Sequence, residues 1–97
     1  MRVQFMNRQG GPENLVCDAE LVFDSEGPLA GMKLVGFALW RNAEGEVNVT
    51  FPARAFASSG ERRFFDYLRA ADPGSGDHKR VKEWILEEFR ASRRNAA

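Results

Sequence analysis

Apolar and polar positions alternate through the first half of the chain, and the period lengthens towards 3.6 only near its end. Val3 and Phe5 share one face of residues 2–7, which predicts a short strand. Gly10-Gly11-Pro12 breaks the pattern. Alternation resumes over 14–23, with Leu15, Cys17, Ala19, Leu21 and Phe23 on one side and Asp18 and Glu20 on the other: a long, half-exposed strand. A turn with Gly27-Pro28 at its middle leads to residues 32–41, apolar on both faces, as in a central strand covered on each side. Asn42-Ala43-Glu44-Gly45 has the Gly placement of a four-residue hairpin connection. Val47, Val49 and Phe51 then alternate with Glu46, Asn48 and Thr50, and Pro52, which has no N–H for a ladder, is expected to end that strand.

Beyond Pro52 the pattern is less decisive. Ser58-Ser59-Gly60 reads as a further loop. In 62–70, Phe64, Phe65, Leu68 and Ala71 fit a short helix face, whereas Phe65, Tyr67 and Arg69 alternate as on a strand, and periodicity leaves both open. Asp72-Pro73-Gly74-Ser75-Gly76 is a clear break. Val81, Trp84, Ile85 and Phe89 then form one apolar stripe, predicting a helix over about 77–92 with Asp77 as N-cap and a frayed tail at 95–97.

The chain of 97 residues is expected to form a single domain over 1–97. Its 43% hydrophobic content, with eight Phe, two Trp and one Tyr, argues against disorder. The 14 basic and 14 acidic side chains cancel, and the pI near 6.6 lacks the strongly basic signature of many nucleic-acid-binding domains. No apolar run has the length of a membrane span and MRVQFMNRQG has no signal-peptide core, so a cytoplasmic protein is expected. A domain this small buries a modest share of its surface, and its many large apolar groups exceed what one sheet and one helix hide, so a homodimer is expected.

Little in the sequence points to catalysis. Cys17 is the sole cysteine and His78 the sole histidine; Cys17 lies on an apolar strand face and reads as core, His78 as an exposed surface residue. No phosphate loop, cofactor motif or metal-ligand spacing is present, so no catalytic or metal site is assigned. Basic residues are the sharper feature. Lys79, Arg80 and Lys82 occupy the first helical turns, where the dipole disfavours cations. With Arg54, Arg62 and Arg63 they form a candidate patch for a DNA or RNA backbone, three guanidiniums converging at one end of the sheet. The bland alternative is a solvated face in which Lys79 pairs with Glu83 and Arg80 with nearby acids. Phe37, Trp40, Phe51 and Trp84 fall on faces assigned to burial; Phe56, Phe64 and Phe65 have no such assignment.

The stretch AELVFD (19–24), a central strand, an Asn/Gly hairpin and VTFPAR (49–54), followed by SSGERRFFD (58–66) and KRVKEWILEEF (79–89), resembles the stage V sporulation protein G family. Phe51, Pro52, Ala53 and Arg54 stand where that family has a Met-Pro-Ser-basic motif, and Leu86, Glu88 and Phe89 match its helix loosely. The resemblance implies an α+β fold, an antiparallel sheet of about five strands with a C-terminal helix packed on it, and a strand rather than a helix at 62–70. It also implies a homodimeric, non-enzymatic regulator linked to sporulation and septation, several relatives of which bind DNA or RNA. A protein-interaction dimer without nucleic-acid affinity is the alternative.

Overall fold

The first four predicted strands form a meander in which spatial order repeats chain order. The computed structural model describes residues 1–95; of the tail expected to fray at 95–97, Asn95 closes the helix and the rest lies outside the described residues. Strands β1 (Arg2–Met6), β2 (Leu15–Val22), β3 (Lys33–Arg41) and β4 (Val47–Thr50) make one antiparallel sheet of order β1-β2-β3-β4. A second, two-stranded sheet pairs β5 (Ala53–Ser58) with β6 (Glu61–Asp66), and helix α1 (Asp77–Asn95) follows. Among the described residues the fold is therefore α+β, with six strands in two sheets.

Alternation along the strands builds the core. Cys17, Ala19 and Leu21 of β2, Phe37 and Leu39 of β3 and Val49 of β4 point to one side, and all are buried. Helix α1 covers that side with Ile85 and Phe89, flanked by half-buried Val81 and Trp84, so the predicted stripe does face the sheet. The helix crosses from β4 to β1. Near its start the His78 ring lies 4.2 Å from Phe51, and near its end Phe89 meets Phe5 edge-on at 5.5 Å. Phe51, just past β4, also packs edge-on against Phe37 at 5.1 Å.

The apolar run over 32–41 is not covered on both faces. Among the described residues its outward side meets no second layer: Val35 is half exposed, and Trp40 donates its indole N–H to Thr50 Oγ1 at 2.9 Å across the strand pair. Ion pairs share that face. Arg8 grips both carboxylate oxygens of Asp18, at 2.7 and 2.9 Å, and Lys33 reaches Glu20 at 3.2 Å. Such polar partners suit the solvated side of an antiparallel sheet. A bulge explains why the pattern looked apolar throughout. Ala19 opposes Phe37 whereas Leu21 opposes Leu34, so β3 holds one extra residue there and the inward phase shifts by one. Gly36 sits in the bulge at φ +102°, and a Cβ on it would come within 2.9 Å of Pro52 Cβ.

Residues after Pro52 form the β5–β6 ribbon. Its turn is Ser59-Gly60, with φ of +53° and +79°, the two positive values that a type I′ hairpin turn requires. The ambiguous 62–70 segment is a strand as far as Asp66. Tyr67 N–H then donates to the Pro52 carbonyl at 2.8 Å, closing the base of the ribbon. The ribbon projects from the body, and the radius of gyration, 14.9 Å, exceeds the ~12.5 Å of a compact chain of this length.

Candidate nucleic-acid interface

Side chains on opposed positions of an antiparallel pair share a face, so the ribbon's register sorts its residues. Arg54 opposes Phe65 and Phe56 opposes Arg63, giving a checkerboard of two arginines and two phenylalanines. On the reverse face Ala53 opposes Asp66, Ala55 opposes Phe64, and Ala57 opposes Arg62. The three ribbon arginines therefore do not converge: Arg54 and Arg63 share one face, and Arg62 lies on the other. All three remain exposed.

Each face sets arginine against aromatic carbon. The Arg54 guanidinium lies 4.9 Å from the centre of the Phe56 ring, and the Arg62 guanidinium 5.6 Å from that of Phe64. Phe56 and Phe65 meet at 5.4 Å, nearly perpendicular. Nothing among the described residues buries these rings: Phe56 is 45%, Phe65 47% and Phe64 65% exposed. Arg63 reaches Glu61 at 3.2 Å, an exposed pair with little hold on either partner. On the checkerboard face Phe56, Ser59, Glu61, Arg63, Phe65 and Arg69 line an open concavity of about 570 Å³.

The helix-start cations lie in a different setting. Arg80 is paired with Asp77, and Lys79 lies 4.0 Å from Glu83 on the next turn. Lys82 is half-buried. Asp77 is not the N-cap: Arg80 N–H bonds to the Gly76 carbonyl, so Gly76 caps and Asp77 is the first helical residue. The Ser75 hydroxyl, first, and then Arg80 hold the Asp77 carboxyl below the usual carboxylate range.

His78 is not a free surface residue. Its Nε2 lies 3.0 Å from Asp66 Oδ2 while its ring covers Phe51, so it ties the helix start to the end of β6. No local signal announces this contact, because its partners are distant in sequence and only the folded ribbon base brings them together. Cys17 is buried near Phe89 and Arg93, towards the other end of α1. Burial pushes its thiol above the ordinary value. The intervening helix, about 16–22 Å, separates it from His78. Among the described residues no cluster of His, Cys, Asp and Glu has the form of a metal site, and no helix is long and apolar enough to cross a membrane. Comparison of the chain with protein-family models, with curated proteins and with solved structures gives no match.

Proposed function

We propose that this chain is a non-enzymatic regulatory protein that binds DNA or RNA, working as a homodimer and using the β5–β6 ribbon as its principal contact. The observation that carries the reading is the set of exposed arginine and phenylalanine side chains on one face of a projecting hairpin, Arg54 and Arg63 with Phe56 and Phe65. Arginine grips phosphate through paired hydrogen bonds, and an exposed ring offers a face to a base. The resemblance to the stage V sporulation protein G family agrees with this reading, and a role in septation or sporulation is proposed on that basis. Lys79, Arg80 and Lys82, close to the ribbon base in sequence order and fold, would add a weaker electrostatic rim, since two of them already have carboxylate neighbours.

One feature favours a second reading, a protein-interaction dimer. The reverse ribbon face carries Phe64 beside Ala53, Ala55 and Ala57, an apolar strip that a protein surface would cover as well as a base would. Titration with mixed-sequence DNA and RNA at two salt concentrations separates the two. Backbone binding weakens with salt, log K falling by ~0.7–0.9 per phosphate contacted for each tenfold rise. Sedimentation in the same buffers reads the oligomeric state. Absence of binding at about 50 mM salt, with a dimer present, would establish the interaction module in place of the nucleic-acid reading.

A further inference from the structure

The two faces of the ribbon are chemically unequal, and the difference selects a ligand. Resting on the nucleic-acid reading above, we infer that the Arg54–Phe56–Arg63–Phe65 face is the binding face and that it takes an unpaired single strand rather than a duplex. Three observations converge on it. The first is charge. Arg54, Arg63 and Arg69 lie on or beside this face against one carboxylate, Glu61, whereas the reverse face carries Arg62, with Asp66 at its base held by His78. A polyanion is drawn more strongly to the first face than to the second.

The second observation is ring geometry. Phe56 and Phe65 stand at 87° to one another with centres 5.4 Å apart, so they form a corner rather than a flat stack. A base lying on one ring meets the edge of the other. Bases inside a duplex have both faces covered by their neighbours and cannot enter such a corner; an unpaired base can. The third is shape. The concavity the rings line is of the size that holds a small-molecule moiety, yet it is open at the side, as a continuous strand passing through it requires. Arg63 and Arg69 border the same hollow, placed to meet phosphates flanking a stacked base. Glu61, the one acceptor-only side chain there, suits the amino edge of guanine, cytosine or adenine.

The test uses the full chain and a fluorescently labelled 12-nucleotide mixed strand, alone and annealed to its complement, at low salt. Expected are tighter binding of the single strand than of the duplex, and a loss of about tenfold to a hundredfold for Phe56→Ala or Phe65→Ala, the worth of one base stack. Phe64→Ala on the reverse face stays within twofold of the parent. Phe65→Trp keeps affinity and its added emission is quenched by the strand, while that of Phe64→Trp is not, which keeps the test valid should an alanine variant lose its ribbon. A duplex preference, or equal loss from Phe64→Ala, overturns the inference. So does single-strand binding that survives Phe56→Ala and Phe65→Ala, although nucleic-acid binding by another surface would then stand. No binding of either probe removes the nucleic-acid reading itself, and dissociation of a dimer by Phe65→Ala would assign the face to a second copy.

Discussion

Replacing Gly36 with alanine tests the junction on which both sheets depend. Two separate costs arise there. The residue holds φ +102°, a region that side chains enter at a cost of ~1–3 kcal/mol. In addition the new Cβ would sit 2.9 Å from Pro52 Cβ and 3.6 Å from Pro52 Cα, and relieving that overlap by backbone shift costs a further ~1–3 kcal/mol. The sum, about 2–6 kcal/mol, is a large part of the ~5–15 kcal/mol expected for a domain of this size. A mid-range loss of about 3.5 kcal/mol lowers the melting temperature by roughly 15–25 °C. Gly45 supplies the control: it too has positive φ, +83°, but a Cβ there meets nothing within 4 Å. Gly45→Ala therefore reads the strain alone, and the difference between the two variants reads the contact with Pro52. Urea unfolding followed by the emission of Trp40 and Trp84, at fixed protein concentration, measures both. Pro52→Gly in the Gly36→Ala background removes the opposing Cβ and is expected to recover about 1 kcal/mol or more as coupling. If Gly36→Ala costs no more than Gly45→Ala, the close approach of bulge and proline is not a constraint on the fold, and the reasoning fails.

Two further predictions follow from the helix. Ile85→Ala, at a fully buried position, is expected to cost ~2–5 kcal/mol in the same unfolding experiment, whereas Trp84→Ala, only half-buried, should lose about half of the ~3–5 kcal/mol typical of a fully buried tryptophan; the reverse order would mean that the helix presents a different face to the sheet. Asp77, whose folded pKa is depressed, contributes stability above the unfolded value near ~3.9, and that contribution fades as pH falls through the folded value; Asp77→Asn should flatten this acid limb, and parallel stability curves for the two proteins between about pH 5 and pH 2 would refute the assignment.

What the sequence disclosed, and what it hid, follows from burial. Cys17, Ala19 and Leu21 alternate against Asp18 and Glu20 because one side of β2 meets the helix and the other meets water, so that strand was legible. The 42–46 hairpin was legible for local reasons: Asn42 accepts hydrogen bonds from the N–H groups of Glu44 and Glu46, and Gly45 takes positive φ. The bulge at Gly36 was hidden because Leu34, Val35 and Phe37 are all apolar, which masks a change of phase. The ribbon was hidden for the opposite reason. Neither of its faces is buried, so adjacent Phe64 and Phe65 show no contrast between inside and outside, and a helix fitted equally well. Arg54, Arg62 and Arg63 were identifiable as exposed cations, but their division between two faces depends on pairing across the turn. The His78–Asp66 contact depends on where that ribbon ends.

The meander has a consequence for how the chain reaches this structure. Every strand pairs with its neighbour in sequence, so each hairpin can close over a short loop, and topologies of that kind fold quickly for their size. The helix breaks the rule, and its widest contact shows how. Phe5 and Phe89, at nearly opposite ends of the chain, meet edge-on where α1 passes over β1, and closing that loop requires both hairpins and helix to be in place. Docking of the helix is thus the step that converts a set of local hairpins into a cooperative unit. Deleting β1 would open the same core that deleting the last two turns of α1 would open, so the two ends of the chain stand or fall together.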